Sequence, residues 1–121
     1  MRTCIVVDDS SVVRKVARRI FEQFDFAVSE AEDGAQALQL CQRQLPDAVL
    51  LDASMPVMDG YEFLRGLRRM PGGDRPKVIM CQVENDAAYI ARAHHVGAND
   101  VLLKPFDTSR VAAKLAAVGL R

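Results

Sequence analysis

The amino-acid sequence predicts an α/β fold, a five-stranded parallel sheet with helices on both faces. Three observations carry that expectation. Short apolar runs alternate five times with longer amphipathic ones, the pattern of β-then-α units. The short runs are continuously apolar, as strands buried on both faces should be. Acidic residues and a lysine stand where several of those runs end, at the rim where parallel sheets place their ligands.

The elements follow in order. Residues 3–7 form a compact β-branched run and read as a buried strand. Asp8-Asp9-Ser10-Ser11 stops it and supplies a turn and a helix N-cap. Val13, Ala17, Ile20 and Phe24 then recur at helical spacing. Residues 26–31 read as a second strand, Asp33-Gly34 as a turn and residues 35–44 as a second helix. Pro46-Asp47 breaks the chain before a third strand over residues 48–51, which ends on Asp52. A loop through Pro56 and Asp59-Gly60 leads into a helix over residues 61–69. Residues 77–81 form a fourth strand, and Asp86 caps a helix that ends before Gly97. Residues 101–103 form a fifth strand, and a last helix covers residues 108–118.

Composition narrows the function. The chain has 121 residues, the size of one domain, with half of them apolar. Sixteen basic residues balance sixteen acidic ones, which argues against a protein built to coat nucleic acid or an anionic membrane. No apolar run approaches the roughly 20 residues of a membrane span, and the first strand reaches Asp8-Asp9 too soon to be read as the apolar stretch of a signal peptide. Cys4, Cys41 and Cys81 are scattered and odd in number, as expected of reduced structural thiols in a cytoplasm.

The strand ends carry the chemistry. Asp8 and Asp9 follow the first strand, Asp52 the third, Gln82 the fourth and Lys104 the fifth. Carboxylates packed together repel one another and resist ionisation. A hard divalent cation relieves that repulsion, and Mg²⁺ favours a few carboxylates with water and phosphate oxygens. Three aspartates and a lysine around one cavity suit phosphoryl transfer, with Asp52 as the nucleophile and Mg²⁺ and Lys104 neutralising the phosphoryl oxygens.

These residues, with Val6-Val7-Asp8-Asp9-Ser10, the stretch from Leu51 to Gly60, Gly97-Ala98 and Leu103-Lys104-Pro105-Phe106, resemble the receiver domain of bacterial two-component response regulators, most of all the stand-alone chemotaxis type. The likeness runs over essentially the whole chain. It implies a flavodoxin-like fold with strand order 2-1-3-4-5, and a single receiver domain over residues 1–121 with no output domain. It implies that Asp52 accepts a phosphoryl group from a histidine kinase or a phosphotransfer protein, and that Lys104 contacts that group. It implies Mg²⁺ ligation by Asp8, Asp9, Asp52 and the Ser54 carbonyl, and a cis bond before Pro105. Output would be binding to a further protein, not catalysis on an external substrate; the alternatives are a phosphate sink and a phosphorylation-independent binding module.

Two positions depart from the family pattern. Gln82 stands where a Ser or Thr is usual, and Val101 where an aromatic switch residue is usual. The Gln82 amide could donate to a phosphoryl oxygen, or the side chain could point to solvent. In the first case the loop over residues 83–86 has less reason to move, and the expectation is a weak switch or a different route; in the second the loop shifts anyway through Mg²⁺ and Lys104. Arg14 and Arg18 share a helix face with i,i+4 spacing and, with Pro105, are candidates for docking the phosphodonor. Ile90, His94, Val101 and Lys114 are candidates for the output surface. Two other classes fit less well. An aspartyl-phosphate hydrolase usually carries a second Asp where Ser54 stands, and a flavin carrier would meet repulsion between Asp8-Asp9 and its phosphate.

Overall fold

The structure, a computed structural model, describes residues 1–83 and 86–121. Of the loop over residues 83–86, residues 84 and 85 lie outside the described residues. Ten elements alternate: β1 (Arg2–Val7), α1 (Ser11–Gln23), β2 (Phe26–Ala31), α2 (Gly34–Arg43), β3 (Ala48–Asp52), α3 (Gly60–Arg69), β4 (Lys77–Gln82), α4 (Ala87–His95), β5 (Asp100–Leu103) and α5 (Thr108–Ala117). The strands pair in parallel in the order β2-β1-β3-β4-β5. This is the flavodoxin-like arrangement, and its strand order reverses between β1 and β3, where a crevice opens.

Side-chain alternation along each strand divides the core into two layers. Ile5, Val7, Val49, Leu51, Val78, Met80 and Val101 face α2, α3 and α4. Cys4, Val6, Ala48, Leu50, Ile79, Cys81 and Leu102 face α1 and α5. Helix starts are set by short polar side chains that accept from the free N–H groups of the first turn. Ser10 caps α1, and Asp33, Asp59, Asp86 and Asp107 cap the other four helices.

Arg68, near the end of α3, ties three segments together. Its guanidinium donates to the carbonyls of Gly73, Pro76 and Gly97 and to Asn99 Oδ1, at 2.7–3.0 Å. Burial pulls its pKa below the usual guanidinium value. Gly97 ends α4 with φ +111°, and a Cβ there would stand 3.0 Å from the Arg68 side chain, so the turn needs a residue with no side chain. Among the described residues, no helix is long and apolar enough to cross a membrane.

Candidate functional site

The crevice is built from the ends of β1, β3 and β5. Alternation explains which side chains meet there. Asp8 continues the face of Val6, Asp52 that of Leu50 and Lys104 that of Leu102, so all three lie on the α1–α5 side. Asp8 is held by its own turn, Oδ1 accepting from the Ser10 N–H at 2.9 Å. Its Oδ2 accepts from Lys104 Nζ at 2.7 Å, and the same ammonium stands 3.2 Å from Asp52 Oδ1. The Asp52 carboxylate also accepts from the Ser54 main-chain N–H. Gly60 lets α3 close onto this loop: its N–H donates to the Ala53 carbonyl, and a Cβ there would fall 2.4 Å from the Asp52 carbonyl oxygen. The Lys104–Pro105 bond is cis.

The electrostatics are those of a site short of positive charge. Burial raises the Asp52 pKa, the negative charge of Asp8 raises it further, and Lys104 opposes both. Burial works against the Lys104 ammonium, but the hydrogen bond to Asp8 and the charges of both aspartates outweigh it and raise its pKa. Asp8 and Asp52 are buried and Asp9 is exposed, and one carboxylate oxygen from each lies within 4.8 Å of the others. Three hard oxygen donors, one of them open to solvent, fit a divalent cation such as Mg²⁺ that keeps several waters.

A family model for the response regulator receiver domain matches residues 4–116. The chain belongs to that family. Among relatives of this receiver, the chemotaxis protein CheY of Listeria monocytogenes is 37% identical over 112 residues, 92% of each chain. Among solved structures, chemotaxis response regulator CheY4 of Vibrio cholerae superposes with a TM-score of 0.92 at 29% identity, over 98% of both chains. The receiver domain of the Pseudomonas aeruginosa sensor histidine kinase PA1611, solved with a magnesium ion coordinated in its active-site cleft, superposes with a TM-score of 0.88 at 28% identity, again over 98% of both chains.

Both expectations for the Gln82 side chain need correction, and the docking and output candidates take the places described after it. Gln82 does not point to solvent: it is 3% exposed. Nor does its amide face Asp52. It continues the Met80 face toward α3 and α4, where Nε2 donates to Tyr61 Oη at 2.8 Å and lies 3.4 Å from the Tyr89 carbonyl oxygen. Val101 is 8% exposed and packs in the core. Ile90 is half-buried against the same core, and Lys114 is paired with Asp100 at 3.0 Å. His94 is exposed, with Nδ1 3.2 Å from the Ala98 carbonyl oxygen. Arg14 is mostly buried and bound to the Asp8 carbonyl and to Glu30, and Arg18 is paired with Glu22 and Glu30. These arginines fasten α1 to β2 and do not form a free basic face.

Apart from Pro105, the apolar residues beside the site were not singled out from sequence as site candidates. Val12, Val13, Val16, Val83, Pro105 and Phe106 line a groove of about 400 Å³ that runs up to Lys104. Val12 is 70% exposed and Val83 73%. The signal was present, since Val12 and Val16 make a second apolar i,i+4 pair off the buried stripe. On the other side of the crevice Tyr61, Tyr89 and Arg92 surround Gln82, and no sequence spacing connects residues from α3, β4 and α4.

Proposed function

We propose that this receiver accepts a phosphoryl group on Asp52 from a histidine of a kinase or phosphotransfer protein, and signals in the cytoplasm by binding another protein. The observation behind this reading is the juxtaposition of Asp52 with Lys104 at 3.2 Å and with the Asp8 and Asp9 carboxylates within 4.8 Å. An Asp52 oxygen attacks the phosphorus, the P–N bond to the imidazole breaks, and its electron pair stays on the ring nitrogen. Lys104 is placed to hold a phosphoryl oxygen after leaving Asp8. Asp8, Asp9 and Asp52, with the Ser54 carbonyl, would hold Mg²⁺, which supplies the remaining charge neutralisation when bound. Loss of the group is attack by water on the acyl phosphate at the same site, so the protein acts on no separate substrate.

The groove beside Lys104 suits the donor. An apolar trough of Val12, Val16, Val83 and Phe106 is the kind of surface that takes the apolar face of a helix, and its end at Lys104 would bring a histidine on that helix to Asp52. Net charge near zero gives no support to nucleic acid as the partner.

The test is intact-mass measurement after incubation with acetyl phosphate and Mg²⁺. The wild type is expected to gain one phosphoryl group, and Asp52→Asn none. A phosphoryl group on the Asp52→Asn protein would show that another residue is the acceptor.

A further inference from the structure

We propose that Gln82 and Tyr61 are positioning residues that couple the phosphorylation site to helix α4, by a route that uses neither a strand-four hydroxyl nor a strand-five aromatic. The inference rests on the phosphoryl-acceptor reading above and names the regulation of that same site.

Gln82 is joined to both ends of the route. Its main-chain carbonyl accepts from the Lys104 N–H at 2.9 Å, and the carbonyl of the preceding Cys81 accepts from the Ala53 N–H at 3.1 Å. Cys81 also pairs with Asp52 in the sheet. The backbone at the end of β4 is therefore bonded to the residue that follows the acceptor and to the lysine itself. The side chain points the other way, with Nε2 on Tyr61 Oη and near the Tyr89 carbonyl. A displacement of Lys104 toward a phosphoryl group reaches α4 through one buried residue, with no need for a side chain to cross the crevice.

The far end of the route is built to respond. Helix α4 buries only one residue completely, Ala93. Its other ties include Ile90 against the core, the Gln82 contact at Tyr89, and Arg92, whose guanidinium lies 3.8 Å from the centre of the Tyr61 ring. Tyr61 is thus clamped between an amide from β4 and a cation from α4, and the residue is 6% exposed. An element held by few apolar contacts and a polar clamp has low local stability and is the one that moves. Gln82 Oε1 is buried and meets no donor among the described residues. A shifted loop that brought a donor to this oxygen would favour a second arrangement of the amide. Coupling requires that both ends bias one equilibrium.

The experiment compares backbone amide NMR spectra with and without beryllofluoride and Mg²⁺. In the wild type, shifts are expected at residues 8, 9, 52 and 104 and also at residues 89–92. Tyr61→Phe keeps the ring under Arg92 but removes the hydroxyl. It is expected to reduce the shifts at residues 89–92 by at least half while leaving those at residues 8, 9 and 52. Gln82→Leu, which keeps the volume and loses the amide, should do the same. Residues 89–92 that respond fully in both variants overturn the proposal. So does a wild type that responds at residues 8, 9 and 52 but not in α4, which is the behaviour of a phosphate sink. A wild type with no response at residues 8, 9 and 52 signals instead that the acceptor reading has failed, and the coupling falls with it.

Discussion

Val57 sits in the loop between β3 and α3 with φ +67° and 83% of its surface exposed. A β-branched residue in the left-handed region places its Cβ against the neighbouring carbonyl, at a cost of about 1 kcal/mol. Nothing packs on the side chain to offset that. Val57→Gly is therefore expected to stabilise the fold by about 1 kcal/mol, less the entropy glycine adds to the unfolded chain. Urea denaturation checks this, and a midpoint that falls would show that the valine makes a contact worth more than its strain. The cysteines are simpler. Burial pushes the Cys41 thiol up to about 11, and raises those of Cys4 and Cys81 further. All three are free and buried. They behave as small apolar side chains with almost no thiolate at neutral pH, which disfavours a redox role.

At the scale of elements, α1 is fastened to β2 by charge as well as by apolar packing. Glu30 on β2 receives Arg18 at 2.8 Å and Arg14 at 3.2 Å. The Arg18 hydrogen bond, with that of Arg14, holds the Glu30 pKa below the ordinary carboxylate value despite partial burial. A carboxylate with a lowered folded-state pKa contributes stability above its unfolded pKa and loses it as pH falls through the folded one. Glu30→Gln is expected to lower stability near neutral pH by about 0.5–1 kcal/mol, the upper range for partly exposed pairs. The gap between variant and wild type should close as the pH drops below the carboxylate range. Thermal melts at a series of pH values measure it, and a pH-independent gap would mean that packing, not charge, is what Glu30 provides. The same contacts add what the shared face of Arg14 and Arg18 did not disclose. Helical periodicity shows that two arginines share a face, but not that a glutamate 12 or 16 residues later will meet them.

For the whole molecule, the crevice works against the stability of the fold. Asp52 is buried beside Asp8, and its ionisation is disfavoured by burial first and by that neighbour second. A cation that binds this cluster only in the folded state stabilises the protein by mass action, about 2.7 kcal/mol at one hundred times its dissociation constant. Mg²⁺ is expected to raise the thermal midpoint by several degrees, and removal by EDTA to reverse it. Asp9 is exposed and outside the core, so Asp9→Ala should leave the midpoint without Mg²⁺ nearly unchanged while abolishing most of the rise. A full Mg²⁺ effect in that variant would remove Asp9 from the ligand set.

The class of the molecule and the floor of its crevice can be read from local patterns in the sequence. Continuous apolar runs, helical stripes and capping aspartates are local signals, and they placed all ten elements to within a residue or two. The cluster was legible for the same reason. Strand alternation and position at the carboxyl ends bring Asp8, Asp52 and Lys104 to one face, and both follow from the sequence once the strands are known. Alternation also assigns Gln82 to the opposite face with Met80, though only the folded chain shows the Tyr61 hydroxyl waiting there. What the tertiary structure alone decided are the partnerships between elements. Arg14 with Glu30, Arg68 with three turn carbonyls, Val101 in the core, and Arg92 over Tyr61 each join residues from different parts of the chain. Such contacts are set by how helices pack across a twisted sheet, and side-chain distances across that packing leave no period in the sequence.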